Sequence, residues 1–248
     1  MKILYIFRSS YDAAYILSRL GQKNIAQAAI LESGNKAKFK KIKRSFQKSN
    51  IFRYPAVFVD LLSLLIYSFV MERGIKKRLG VAKYPKNIVK LVVDDANDKK
   101  CIEYIQKYKP DIIFIYGTAI LGKTFLSSVH STILNIHSGI LPYYRNVHSD
   151  FWAYIKRDYK NIGVSIFFLD AGIDTGSIAL QKRITYTKKD HLIDIKVKNL
   201  TMIPNLIELV IKKYRARTLK RKIQSISDAG FYPTPTFRDF FKLLRDNL

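Results

Sequence analysis

"KILYIFRSSYDAAYILSRLGQKNIAQAAILES", Lys2–Ser33, decides the fold. "KILYIF" is an unbroken apolar run of the kind that forms a strand buried on both faces of a parallel sheet. "SSYDAAYILSRLG" then opens with Ser/Asp capping chemistry and closes at Gly21, the signature of a short helix. "NIAQAAILES" reads as the next strand. Strand, helix and strand in that order predict an α/β, Rossmann-like, doubly wound and mostly parallel sheet. No G-x-G-x-x-G follows the first strand, so nothing supports a dinucleotide site there.

The same rhythm returns further on. In "NIVKLVVDDANDKKCIEYIQKYKPDIIFIYGTAIL", Asn87–Leu121, a helix carrying Ile102 and Ile105 ends before Pro110, and "DIIFIY" is another buried strand. It delivers Gly117 and Thr118 to its carboxyl end, where open α/β sheets bind ligands. "STILNIH" brings Asn135 and His137 to a similar edge. "VSIFFLDAGIDTGSIALQKRI" supplies two strands around a Gly-rich loop with Asp170 and Asp174. Helical pattern runs from about Leu192 to Arg217. A proline-punctuated turn and an amphipathic helix end the chain. We divide the sequence into a core, 1–190, and a short helical carboxy-terminal extension, 191–248, packed on it.

Composition sets outer limits. Apolar residues form 48% of the 248, enough for a full core and against disorder. The single cysteine, Cys101, allows no internal disulfide and fits a reducing, cytosolic compartment; its pattern is that of a buried helix residue. No cysteine or histidine cluster has zinc spacing. Lys and Arg number 44 against 19 Asp and Glu, a formal charge of +25. Such a field attracts nucleic acid, anionic lipid or phosphorylated small molecules without choosing among them.

Two stretches bear on partners. "KAKFKKIKRSFQK", Lys36–Lys48, spaces Phe39, Ile42 and Phe46 as an amphipathic surface helix would. "YPAVFVDLLSLLIYSFVMERGIKKR", Tyr54–Arg78, approaches membrane-spanning length, but Asp60 interrupts it and Ser63 and Ser68 dilute it. We expect a buried helix there. Peripheral membrane contact and packing against a second subunit, as in a homodimer, stay open.

Chemistry concentrates in "ILNIHSGILPYYRNVHSD", Ile133–Asp150, which holds two of the four histidines. Asn135 and His137 lie two apart on a strand and share a face. A histidine there serves as general base and acid near neutral pH, and a neighbouring amide can hold a developing oxyanion. Asp174 supplies the missing carboxylate. Asn, His and Asp together suit acyl transfer without a nucleophilic serine or cysteine. A lone histidine is more often structural; the cluster at strand ends is what favours catalysis. His148 reads either as an acceptor contact or as the cap of a helix at "SDFWAY", and Arg145 as a phosphate partner or a plain surface arginine.

"NIHSGILPYYRNVH", followed by "GVSIFFLDAGIDTGSIALQ", resembles the folate-dependent formyltransferase family, which includes glycinamide ribonucleotide transformylase, methionyl-tRNA formyltransferase and the sugar N-formyltransferases. The resemblance is strongest from about Pro110 to Arg183. It implies that Asn135, His137 and Asp174 match the catalytic residues. It also implies that 10-formyltetrahydrofolate is the co-substrate, with no metal, and that Gly117, Thr118, Leu121, Asp170, Ala171 and Gly172 lie beside its pterin. Tyr143, Arg145 and His148 are then the acceptor-side residues. Phe167 stands where many relatives have a histidine, and Asn146 where a glycine is common. Residues 191–248 look unlike a tRNA-gripping barrel, and "LPYYRNVHSDFWA" looks closest to the sugar enzymes. The acceptor we expect is a nucleotide-linked amino sugar for surface polysaccharide, such as lipopolysaccharide. Formylation of an aminoacyl-tRNA is the alternative, and a non-catalytic binding protein of the same fold a third reading. The expected location is cytoplasmic, with peripheral contact to the inner membrane face open.

Overall fold

The structure is a computed structural model. It describes residues 1–33, 54–225 and 227–245; the amphipathic pattern at 36–48 lies outside them. In chain order the elements are β1 (Ile3–Arg8), α1 (Tyr11–Gln22), β2 (Ala28–Glu32), α2 (Tyr54–Leu79), β3 (Val89–Val93), α3 (Lys99–Tyr108), β4 (Ile112–Tyr116) and α4 (Lys123–Ser128). There follow β5 (Thr132–His137), β6 (Arg145–Asn146), α5 (Ser149–Ile155), a 3₁₀ turn (Tyr159–Asn161), β7 (Gly163–Phe168), β8 (Ile178–Arg183), α6 (Leu192–Arg215), β9 (Phe231–Tyr232) and α7 (Phe237–Arg245).

Seven strands form one sheet in the order β3-β2-β1-β4-β5-β7-β8. The first five are mutually parallel; β7 runs antiparallel to β5, and β8, antiparallel to β7, points the same way as the first five. The strand order reverses between β1 and β4, so their carboxyl ends open a crevice where such sheets take ligands.

Period-two alternation sends successive β1 residues to opposite faces. Ile3, Tyr5 and Phe7 join the larger core, with α1 and α6; Leu4 and Ile6 join the other, with Cys101, Ile102 and Ile105 of α3 and Phe125 of α4. Helix α1 starts where the sequence places it, with the Ser10 side chain accepting from Ala13 N at 3.2 Å. It runs past Gly21 to Gln22 and caps on Lys23, whose N–H reaches back to Arg19 O and Gly21 O. The glycine therefore sits inside the last turn; Ile88 and Pro85 pack against it.

One expectation needs correction. Helix α2 is not a buried helix: only Tyr67 and Ile75 are buried, and Phe58, Leu62, Leu65, Ile66 and Phe69 are exposed. Its inner face rests on α6 and α7, which leaves a broad apolar face uncovered. Past residue 190 the chain packs on the core. Leu200, Ile203, Leu206, Ile207, Val210 and Ile211 of α6 belong to the same core as β1 and α1. A two-stranded parallel pairing of β6 with β9, Arg145 with Phe231 and Asn146 with Tyr232, also ties the tail to the centre of the chain.

Candidate active site

Strand β5 ends at His137, and its register on β7 sets the floor of the site. Asn135 lies opposite Phe167 and His137 opposite Ser165. Cross-strand partners in an antiparallel pair share a face, so these four side chains point the same way. Phe167, fully buried with Leu141 and Ile178, thus occupies the ground beside Asn135 as a hydrophobic wedge. Ser165 accepts from Leu141 N (3.1 Å) and Gln181 Nε2 (2.9 Å) and donates to Gly139 O (2.6 Å), which fixes the turn after His137.

The histidine itself is 8% exposed. Nε2 lies 2.7 Å from Tyr144 O and 3.0 Å from Ser149 Oγ. A carbonyl only accepts, so Nε2 carries the hydrogen and donates it to Tyr144 O. Ser149 Oγ also donates to that carbonyl, at 3.2 Å. Nδ1 is left facing Asp174 Oδ2 across 3.6 Å, too far for a hydrogen bond but within ion-pair reach once the ring is protonated. Gly139 makes the arrangement sterically feasible, because a Cβ there would stand 2.5 Å from Ser149 Cβ and 2.9 Å from His137 Nε2.

Asp174 reaches the histidine from the β7–β8 loop. Its φ of +54° is the left-handed conformation that Asp tolerates better than most residues. Asn146 N donates to its Oδ2 at 2.7 Å, and Gln224 Nε2 to its backbone carbonyl at 2.9 Å. Asn146 itself has φ +76°, which suits a position where glycine is common. Asp170 organises the loop from within: its Oδ1 accepts from Thr175 Oγ1 (2.7 Å) and Gly172 N (3.2 Å).

A cavity of about 610 Å³ joins these groups. Asn135, His137 and Asp174 line it together, and so do Gly117, Thr118, Leu121, Asp170, Ala171, Gly172 and His148. Gly117 has φ +66°, so the turn leaving β4 favours a residue without a side chain. Buried Glu32 holds this turn through Ala119 N (3.0 Å) and the neighbouring β3–α3 loop through Ala96 N (3.1 Å). Burial raises its carboxyl above the usual range, while the two amides pull the other way. His148 is the amino-terminal cap of α5 by position, but its side chain makes no capping bond; its ring meets Tyr67 edge-on at 6.0 Å. Tyr143 and Arg145 are not brought to the cavity. Tyr143 packs against the aromatic cluster that includes Tyr144 and Phe151, and Arg145 is held in the β6–β9 pairing.

Sequence reasoning missed the opposite wall. Lys196 of α6 lies 2.8 Å from Asp150 of α5, and Asp12 and Asn199 line the same space. Burial works to lower the Lys196 pKa, but the adjacent Asp150 carboxylate prevails and holds it above the ordinary value. Asp12, half-buried and accepting from Tyr116 OH at 3.3 Å, has its carboxyl pushed up by desolvation. Asn199 is 2% exposed and both polar atoms of its amide lack a partner. Three of these four residues, Asp12, Lys196 and Asn199, come from α1 and α6, so only packing of the helices makes the wall. Among the described residues no three His, Cys, Asp or Glu come together as a metal ligand set.

A family model described as formyl transferase matches residues 1–211. The methionyl-tRNA formyltransferase of Finegoldia magna is 31% identical over 163 residues, 63% of this chain and 49% of that one. The chain spans about half the length of such curated relatives, from 46% to 49%. A 4-N formyltransferase structure from Francisella tularensis superposes with a TM-score of 0.59 at 17% identity, covering 98% of this chain and 87% of that one. The structure of WlaRD, a sugar 3N-formyl transferase in the presence of dTDP and 5-N-formyl-THF, gives 0.56 at 17% identity over 94% of this chain and 69% of that one. Both structures share the fold.

Proposed function

Because the chain belongs to the formyl transferase family, we propose that it transfers a formyl group from 10-formyltetrahydrofolate to a primary amine, and that the amine belongs to a nucleotide-linked amino sugar. One observation carries the chemistry: Asn135, His137 and Asp174, from two separate segments, line one cavity at the carboxyl ends of the parallel strands. The cavity suits the folate as a substrate, since the Gly117–Leu121 turn and the Asp170–Gly172 loop supply backbone groups for a flat heterocycle next to the trio.

The folate brings the formyl group; the chain's own groups manage charge and protons. The Asn135 amide donates to the formyl oxygen as the amine adds to the carbon. His137 keeps its Nε2 hydrogen on Tyr144 O, which leaves Nδ1 as the nitrogen that takes up or gives a proton. Asp174 stabilises the ring when it is charged and orders the water that relays the proton lost by the amine. The bond from the formyl carbon to the acceptor nitrogen forms, the bond to the folate nitrogen breaks, and that nitrogen regains a proton.

The sugar acceptor is supported by WlaRD, which shares this fold and is a sugar 3N-formyl transferase whose structure was determined in the presence of dTDP. Methionyl-tRNA formyltransferase among the matched relatives supports the second reading, an aminoacyl-tRNA acceptor. The test offers the protein 10-formyltetrahydrofolate with a panel of nucleotide amino sugars or with charged initiator tRNA and follows tetrahydrofolate release. Turnover with a nucleotide amino sugar is expected. Turnover with tRNA alone overturns the acceptor, and absence of turnover with every amine offered leaves a binding protein of this fold. His137→Asn is expected to lose at least a hundredfold in kcat, within the range for a general acid–base, while folate binding persists. Full turnover by that variant removes His137 from the mechanism.

A further inference from the structure

We propose that the outer face of α2, together with the outer face of α7, is a docking surface for an anionic lipid bilayer, on which the protein lies without spanning it. The proposal is independent of the reaction assigned above. Helix α2 is long and apolar enough to cross a membrane by length and composition, with a mean hydropathy of 1.8 over its most apolar 18 residues, yet only 6% of that stretch is buried within the protein. Phe58, Leu62, Leu65, Ile66 and Phe69 recur at helical spacing along one stripe and are between 46% and 65% exposed. The same face runs on into Arg73 and Lys77, while Lys76 pairs with Glu72 and lies over the Tyr11 ring. Helix α7 repeats the pattern at smaller scale: Phe237, Phe241 and Leu244 are exposed at intervals of four and three, with Arg238 and Lys242 one position round the helix. Apolar stripes with cationic borders are what helices in the headgroup region of a bilayer present.

The other face of α2 is engaged, and that decides between lying on a bilayer and crossing it. Tyr67 stacks on Phe240 at 4.8 Å between ring centres, Asp60 Oδ1 accepts from Phe237 N at 2.7 Å, and Arg78 Nε donates to Asp194 at 2.9 Å. Ile193 packs over Gly74 so closely that a Cβ there would meet it at 2.8 Å. Spanning would require all of these to break. The exposed stripe from Phe58 to Val70 is about 18 Å long, short of a hydrocarbon core of about 30 Å.

Charge chooses the occupant. A second copy docked on this face would set Arg73, Lys77, Arg238 and Lys242 against a like fringe, in a chain that already carries +25. Anionic headgroups complement the same fringe. Tyr67, Ser68, Met71, Glu72 and Ile75 on the inner side of α2 line the cavity, so a docked protein holds that cavity one helix away from the lipid surface.

Flotation of the full chain with vesicles tests this. Phosphatidylcholine vesicles containing about a quarter phosphatidylglycerol should carry the protein at least tenfold better than phosphatidylcholine alone. Raising salt from 0.1 to 1 M, which shortens the screening length from about 10 to about 3 Å, should release most of it. Phe69→Asp and Phe241→Asp, both solvent-facing and remote from the cavity, should each cut recovery severalfold with unchanged circular dichroism. Arg238→Glu with Lys242→Glu should cut it without touching the apolar stripe, which keeps the test valid if an aspartate variant fails to fold. Three outcomes overturn the proposal. One is absence of flotation with either vesicle. Another is a concentration-dependent dimer in light scattering that the aspartate variants abolish. The third is binding that survives high salt and alkaline extraction, the behaviour of a spanning helix.

Discussion

His137 has Nε2 committed to Tyr144 O, a carbonyl that also accepts from Ser149 Oγ, and Nδ1 turned toward Asp174. With Nε2 donating to Tyr144 O, the ring plane and tautomer are fixed before any substrate arrives. Gly139 guards that geometry. Gly139→Ala would put a methyl 2.5 Å from Ser149 Cβ and 2.9 Å from Nε2, and the ring or the helix start must yield. A displacement near 1 Å at a reacting group costs on the order of a hundredfold, so kcat is expected to fall by about that factor with little change in folate affinity; steady-state kinetics beside a folate titration reads the split. Cys101 gives a second residue-scale expectation. Desolvation, with Asp98, Glu32 and Asp95 nearby, pushes its thiol up to about 12, and the side chain is fully buried. Thiol reagents attack the thiolate, so at pH 8 the native protein should resist a disulfide reagent that labels it at once in urea. At this scale the sequence was informative where a side chain's direction follows from its place on a strand. Asn135 and His137 share a face by parity alone. Tyr143 and Arg145 sit past Pro142 in a segment whose orientation depends on Phe231 and Tyr232, and no local rule carries that information.

Loops on the carboxyl side of the sheet owe their shape to side chains from neighbouring elements. The turn after β4 illustrates the dependence: Glu32 at the end of β2 accepts from Ala119 N, and Asn97 from the β3–α3 loop bonds Ile120 O and Gly122 N at 3.0 and 2.7 Å. Glu32 is fully buried, so its loss strands two amides out of water. Glu32→Gln keeps the shape but turns one acceptor into a donor facing an N–H. It should cost about 2 kcal/mol in denaturant unfolding, from the penalty of about 1–3 kcal/mol for an unsatisfied buried group. If this turn holds the folate, KM for folate should rise more than kcat falls; a purely structural role would leave KM unmoved. Both core strands flanking this turn, β1 and β4, were legible as apolar runs because burial on both faces leaves no room for polar residues. Helix α2 was misread for a related reason. Apolar content measures a tendency to leave water, and the sequence does not say whether protein or another apolar medium receives the side chains.

Across the whole molecule, the pieces on either side of residue 190 are joined by packing and by charge. Lys196 and Asp150, both mostly buried, link α6 to α5, the helix that follows the turn after His137. Removing one partner of such a pair leaves an uncompensated charge and costs about 3–5 kcal/mol. Asp150→Ala is expected to lose stability in that range, and Lys196→Met added to it should recover a good part, giving a nonzero coupling in a double-mutant cycle measured by urea unfolding. The apolar join is larger. Leu200, Ile203, Leu206, Ile207, Val210 and Ile211 cover Tyr5, Phe7, Ile16 and their neighbours, and burial of each such side chain is worth about 1.5–3 kcal/mol. Their sum matches the entire stability of an ordinary domain, about 5–15 kcal/mol. A fragment of residues 1–190 should therefore lack a cooperative unfolding transition and expose its sheet, whereas 1–217, which keeps α6, should recover one. Calorimetry of the two fragments distinguishes these outcomes. A cooperative transition in 1–190 would mean that α6 covers a core already complete without it, and that the segment from 191 onward is an appendage after all.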